Sequence, residues 1–218
     1  MATTTKGRCY LCGAELGKTA MKNHILKDHN MEESGQDCML LKIEGAQNKN
    51  YWLFVDIPLS STLSTLDRFL RNIWLECCGH LSEFSEGGHY MVGKSKKIAS
   101  FQPGDKLLHE YDFGDTTETF ITMVCRTVRK PQKTAVRLLA RNNEPEYPCA
   151  VCGKKADYIC TECMWDDVNP FLCEDCAEKH EHEDMLLPVT NSPRMGQCGY
   201  TGEFDVYEYP PKGSNLPK

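Results

Sequence analysis

Two apolar runs separated by a short polar link lie in the first third of the chain. Residues 38–45 (CMLLKIEG) and 51–59 (YWLFVDIPL) flank the link AQNKN. Apolar runs of this length, joined by turn-forming residues, predict a β-hairpin. Pro58 has no amide hydrogen to donate to a sheet, so the second strand should end there.

The next stretch, residues 60–80, changes to the period of a helix. Its apolar positions fall on one helical face, namely Leu63, Leu66, Leu70, Ile73, Trp74 and Cys77. Ser61 or Thr62 can cap the start, and Gly79 can end the helix. Further strands are predicted in residues 106–113, 117–128 and 134–141. The pattern predicts an α+β fold with a largely antiparallel sheet and a packed helix.

Residues 149–182 concentrate side chains that bind metals. Three CxxC pairs occur there, namely Cys149/Cys152, Cys160/Cys163 and Cys173/Cys176, followed by His180 and His182. A CxxC turn directs two thiolates at one ion, and zinc takes four nitrogen or sulfur ligands. Six cysteines and two histidines therefore predict two zinc sites.

Two pairings fit these sites, either simple knuckles or an interleaved cross-brace, and we favour the cross-brace. The layout of residues 149–182 resembles the B-box and related treble-clef modules, although His180 and His182 are closer together than is usual there. Cys198 competes for the last ligand positions. If a helix begins near Cys173, helical geometry ranks His180 first, His182 second and Cys198 third.

The N-terminus carries a second metal signature, in which Cys9 and Cys12 are followed by His24 and His29. The order Cys, Cys, apolar, apolar, His, His is that of a two-Cys, two-His zinc finger, whose helix should begin near Lys18. Its two apolar positions are Leu16 and Met21. Together with the two later sites, the sequence predicts three zinc ions.

Charge is distributed unevenly along a chain whose net charge is -6. Residues 1–30 hold five Lys or Arg against two Asp or Glu, whereas residues 149–187 hold three against ten. The acidic end would repel a phosphate backbone, which favours a protein partner there, while the basic finger leaves nucleic acid or a ribosome open as a partner.

Cellular location is inferred from hydropathy and cysteine content. No apolar run approaches the ~20 residues that cross a bilayer, which predicts no membrane partner. The 13 cysteines are an odd number, which argues against a disulfide framework and for a cytoplasmic protein.

Residues 51–84 and the later motif YDFGD resemble the plasmid pRiA4b ORF-3-like family. The resemblance covers roughly residues 37–142, and NSPRMGQCGYTG looks like an extension carried by a zinc-bearing branch of that family. It implies a compact α+β core and no established reaction. Thr117 and Thr119 stand where many members have Trp and His, which weakens a catalytic interpretation of the turn.

Within the core, His80, Asp112 and Asp115 can form a metal-dependent catalytic site. The simpler interpretation is structural, because Asp residues beside a Gly satisfy the amides of their own turn and a histidine after a helix stop binds a carbonyl. The remaining cysteines, Cys38, Cys77, Cys78 and Cys125, are expected to be buried apolar side chains.

These observations define four expected regions. They are a finger (1–32), the α+β core (37–145), a two-zinc module (146–202) and a Pro-rich tail (203–218). We expect a cytosolic zinc-binding adaptor that is not an enzyme. The alternatives are a nucleic-acid- or ribosome-associated regulator and, third, a metal-dependent enzyme.

Overall fold

The computed structural model describes residues 5–29, 34–131, 133–166, 168–202 and 207–217. A nine-stranded sheet forms the centre of this part of the chain, and every neighbouring pair of strands in it is antiparallel. The strands are β1 (Lys6–Cys9), β2 (Glu15–Gly17), β3 (Gln36–Gly45), β4 (Trp52–Pro58), β5 (Ser82–Glu86), β6 (Tyr90–Val92), β7 (Lys106–Tyr111), β8 (Thr117–Arg129) and β9 (Arg137–Asn142). Their order is β2-β1-β9-β4-β3-β8-β7-β5-β6. The predicted fold class is confirmed.

The predicted hairpin is formed by β3 and β4, with Glu44 opposite Trp52 and Cys38 opposite Pro58. The second strand ends at Pro58, as its missing amide hydrogen requires. Strand β8 pairs with the other side of β3 and β9 with the other side of β4. The hairpin thereby lies in the middle of the sheet, which explains why its residues are apolar on both faces.

The amphipathic helix after the hairpin is shorter than predicted. Helix α2 spans Leu63–Leu70 and continues as a π-helical turn over Arg71–Leu75. Thr62 occupies the N-cap position without a side-chain cap hydrogen bond. Because helical structure stops at Leu75, Cys77 does not belong to the helical face, and the residues up to Gly79 form a separate turn.

The two faces of the hairpin pack against different helices. On one face, Leu41 and Val55 belong to a cluster with Leu66 and Trp74 of the α2 region. On the other, Leu40, Trp52 and Phe54 pack with Met21 and Ile25 of the finger helix α1 (Lys18–Asp28). This split follows the alternation of side chains along a strand. The finger is therefore built into the core, since β1 also pairs with β9.

The cysteine-rich stretch folds on a small three-stranded sheet with the order β11-β10-β12. Its strands are β10 (Tyr158–Cys160), β11 (Phe171–Leu172) and β12 (Leu186–Pro188), and the short helix α3 (Glu174–Ala177) follows β11. We call residues 149–188 the C-terminal module and residues 189–202 the bridging segment. None of the helices in the described residues has the length and hydropathy needed to span a bilayer.

Candidate metal centres

The finger brings its four predicted ligands together. Cys12 Sγ lies 3.2 Å from His24 Nε2 and 3.3 Å from His29 Nε2, and Cys9 Sγ lies 3.5 Å from His29 Nε2. The helix begins at Lys18, as predicted, and presents both histidines near the CxxC turn. The four ligand atoms lie within 4.8 Å of one another, so the group can hold a metal ion.

Neighbouring groups prepare these side chains for coordination. Asp28 Oδ2 lies 2.8 Å from His24 Nδ1, an arrangement in which a carboxylate orients the imidazole and leaves Nε2 for a metal. Burial, aided by the neighbouring His24, lowers the pKa of His29, which favours the neutral form that ligates metals. Burial raises the pKa of Cys9 to about 11, so in this site the thiolate needs a cation to stabilise it.

The first group of the C-terminal module consists of Cys149, Cys152, Cys173 and Cys176. Cys149 and Cys152 lie on a turn closed by a hydrogen bond from Gly153 N to Cys149 O, and the finger has the same bond from Gly13 N to Cys9 O. Both glycines have positive φ, which CxxCG turns require. Burial opposes ionisation of Cys149, but hydrogen bonds from backbone N–H groups outweigh it and lower its pKa to about 6.

The second group of the module consists of Cys160, Cys163, His180 and His182. His180 approaches Cys163 Sγ through Nε2 at 3.5 Å, whereas His182 approaches it through Nδ1 at 3.6 Å. The helix ends before His182, whose backbone φ of -106° is non-helical, and both rings thereby reach one site. The ligand pairs interleave along the chain, which is the arrangement of a cross-brace.

Cys198 lies in a fourth group, which the sequence analysis missed. Cys78 Sγ is 3.7 Å from both Cys77 Sγ and Cys198 Sγ. His80 Nε2 lies 2.9 Å from Cys78 Sγ and 3.1 Å from Cys198 Sγ. All four ligand atoms lie within 4.8 Å of one another. Within the described residues, four groups can therefore hold a metal ion, one more than the sequence predicted.

A buried arginine lies directly under the fourth group. Arg194 donates from Nη2 to Cys77 Sγ at 3.4 Å and to Asp112 Oδ2 at 2.7 Å, and from Nη1 to the backbone oxygen of Asp115 at 2.9 Å. Burial raises the pKa of Cys77, but the hydrogen bond and positive charge of Arg194, together with hydrogen bonds to Cys78 and Tyr111, outweigh burial, so the pKa lies below its usual value. The guanidinium therefore favours the thiolate form that binds metals.

Two structural interpretations of core residues were wrong. Cys78 is exposed and Cys77 only half-buried, so they are not simple buried apolar side chains, whereas Cys38 is buried. His80 directs Nε2 at two thiols and, at 3.3 Å, at Asp112 Oδ2, not at a carbonyl. The error came from extending the helix through Cys77. The sequence signal for this group was the pair of adjacent cysteines, Cys77 and Cys78, followed by His80 and, far along the chain, by Cys198.

The turn interpretation of Asp112 describes part of what the structure shows. Its Oδ1 accepts a hydrogen bond from Gly114 N at 3.0 Å, as in an Asx turn. Its Oδ2 accepts a hydrogen bond from Arg194. Burial alone would raise the pKa of Asp112, but the hydrogen bonds outweigh burial, so the pKa lies below its usual range. The side chain therefore anchors the bridging segment in addition to shaping its own turn.

Comparisons with known proteins add little to this geometry. No protein-family model matches the chain, and no curated protein matches it significantly. One similar solved structure is the protein of unknown function MM3350 from Methanosarcina mazei Go1, with a TM-score of 0.43 and 18% identity over 50% of this chain and 70% of that chain. A likeness this distant carries no argument. The resemblance to the pRiA4b ORF-3-like family remains a prediction.

Proposed function

We propose that this protein is a zinc-stabilised adaptor that binds a basic segment of a protein partner and is not an enzyme. Cysteine and histidine donors in sets of four are typical of structural zinc sites, whereas catalytic sites keep one position open. Thiolate ligands also require a reducing compartment, which supports a cytoplasmic location. On this proposal the metal ions hold the binding surface in shape.

The observation that carries the proposal is a groove beside the C-terminal module. It has a volume of about 300 Å³ and lies between that module, the bridging segment and the turn at Asp115. Trp165, which is 82% exposed, and Met185, which is 43% exposed, are the exposed large apolar side chains that line it. Exposed aromatic and methionine side chains are common anchors of protein interfaces.

Charge identifies the partner's chemistry. The exposed carboxylates of Glu162 and Asp184 line the same groove, as does Asp115. Within residues 149–187 acidic side chains exceed basic ones by ten to three. A segment with Lys or Arg on either side of an aliphatic residue would match both the carboxylates and the apolar surface.

The test uses two labelled peptides with the full-length protein. One alternates Lys or Arg with a central Leu, and the other replaces each basic residue with Glu. We expect only the basic peptide to raise fluorescence anisotropy, and we expect its binding to weaken with salt. Binding should protect Trp165 from quenching by acrylamide. The change in quenching reports on Trp165 because Trp52 and Trp74 are already buried.

Matched variants make the test specific to the groove. Trp165→Ala should lower the affinity by about tenfold or more, because it removes the apolar anchor. Val151→Ala changes another exposed apolar side chain of the module that does not line the groove, and it should bind normally. Equal binding of the two peptides, or full binding by Trp165→Ala, would contradict the proposal.

The alternative, a nucleic-acid- or ribosome-associated regulator, rests on the basic finger. Two of its basic side chains have internal partners, because Arg8 pairs with Glu15 and Lys18 pairs with Glu44. These contacts leave less charge for phosphates. RNA or DNA binding that weakens steeply between low and moderate salt would favour this alternative. The third hypothesis, a catalytic site at His80, Asp112 and Asp115, is weakened by the arginine that engages Asp112.

A further inference from the structure

We propose that Cys77, Cys78, His80 and Cys198 bind a fourth zinc ion, which fastens the bridging segment, and with it the C-terminal module, to the core. Zn–S bonds of about 2.3 Å in a tetrahedron place sulfur atoms about 3.8 Å apart. Cys78 Sγ lies 3.7 Å from both other sulfur atoms. These separations fit shared coordination, whereas a disulfide needs about 2.05 Å.

The thiols are also placed and polarised as ligands. Cys78 and Cys198 are exposed, so hydrophobic burial does not account for their position. Three thiolates, one neutral imidazole and one Zn²⁺ carry a net charge of -1, and the Arg194 guanidinium, which also pairs with Asp112, donates a hydrogen bond to the Cys77 sulfur. Four protein ligands close the coordination sphere, which is the pattern of a structural ion.

The backbone at Cys198 gives an independent indication. Cys198 has φ of 46°, in the left-handed region that favours glycine, and it lies near Gly196 and Gly199, which also have positive φ. A side chain in this region costs roughly 1 kcal/mol or more. A cysteine tolerated in this conformation indicates that its sulfur is required where the backbone places it.

The bridging segment contacts both parts of the molecule. On the core side, Ser192 Oγ donates to Trp74 O at 2.6 Å, and the buried Arg194 binds Asp112. On the other side, Gly196 lies so close to Met164 of the module that a Cβ there would come within 2.6 Å of its sulfur. An ion bound by Cys198 and the Cys77–His80 turn therefore fixes the segment between core and module.

The first experiment counts metal ions in the full chain purified without chelators, by elemental analysis. We expect four zinc ions in the wild type and three in Cys198→Gly. Glycine accepts the left-handed backbone without strain, so this variant removes the thiol and should not disturb folding. Cys125→Ser, which changes a cysteine outside all four groups, should retain four ions.

Hydrogen exchange then tests the fastening role. In Cys198→Gly the amides of residues 192–200 should exchange about tenfold faster or more, while those of the finger are unchanged. Cys78→Ser, on the other side of the ion, should give the same two results. These measurements need no partner. The fastening role can therefore be wrong while the adaptor function is right, and the adaptor function can be wrong while the fastening role is right.

Three results would overturn the inference. The first is an equal zinc content in wild type and both variants. The second is a wild-type chain two hydrogens lighter because Cys77 and Cys78 form a disulfide. The third is unchanged exchange in residues 192–200 after loss of one ion, which would leave a metal site without the fastening role.

Discussion

The sulfur atoms of Cys78 and Cys198 lie 3.7 Å apart although 120 positions separate the two residues in the chain. Their proximity depends on the bridging segment, which returns from the C-terminal module across the end of the α2 region. At this junction Ser192 contacts the end of the α2 region, and Arg194 pairs with Asp112.

Asp112→Asn should destabilise the protein by about 3 kcal/mol, because it removes the carboxylate that pairs with the buried guanidinium of Arg194. Asparagine tolerates the left-handed backbone of Asp112, whose φ is 66°, so the variant tests the charge and not the turn. Chemical denaturation measures the loss. Asp115→Asn is the matched control and should change stability by less than about 0.5 kcal/mol, since Arg194 contacts only its backbone oxygen. Equal effects of the two substitutions would contradict the assignment.

Gly7→Ala should lower the free energy of unfolding by about 1–3 kcal/mol. A Cβ at Gly7 would lie 2.3 Å from Arg141 O and 2.4 Å from the Trp52 ring, where β1 joins the core sheet. Gly17→Ala is the control, because a Cβ there meets no atom within 4 Å and its φ is -69°. A stable Gly7→Ala variant would show that the finger strands do not pack tightly on the core.

The free energy of unfolding should decrease as the pH falls below about 6.5, and we expect His109 to cause part of this decrease. Its Nε2 donates to Asp67 Oδ1 at 2.9 Å, while the buried Nδ1 has no hydrogen-bond partner in the described part of the chain. Burial therefore lowers the pKa of His109 below its usual 6.5. The folded state then binds fewer protons than the unfolded state, so this contribution is complete above pH 6.5 and is lost as the pH falls through the folded pKa.

Comparison with His109→Gln isolates that contribution, because the two proteins share every other side chain. The stability advantage of the wild type should shrink between pH 6.5 and 5, and denaturation at several pH values measures it. Burial opposes ionisation of Asp67, but hydrogen bonds from His109, Ser82 and Lys94 outweigh it and lower the pKa, so this carboxyl affects stability only below pH 3.8, its usual pKa. A difference that stays constant with pH would show that His109 does not titrate in this range.

His180→Ala and His182→Ala should each remove one ion from the C-terminal module, because both rings approach Cys163. Glu181→Ala, which lies between them and is exposed, should retain all ions. Elemental analysis of the three purified variants decides the ligand set. A His182→Ala variant with full zinc content would remove His182 from the site.

Local sequence determined those features that depend on short-range geometry. The hairpin of β3 and β4, the start of α1 at Lys18 and the grouping of Cys9 and Cys12 with two histidines all follow from periodicity and spacing. In each case neighbouring residues supply most of the contacts. The turns at Cys9–Cys12 and Cys149–Cys152 are the clearest examples, because four consecutive residues and the glycine after them define each turn.

Tertiary structure decided the features that need distant residues. The sequence does not reveal that β1 extends the core sheet by pairing with β9. Nor does it reveal that helical structure stops at Leu75, so that Cys77 lies beside Cys78 instead of on the helical face. Above all, the group of side chains that Cys198 joins could not be predicted from spacing. Loop closure costs differ too little with length to choose between a site 16 residues away and one 118 residues away, so the packing of Arg194 and Ser192 against the core determines where that sulfur lies.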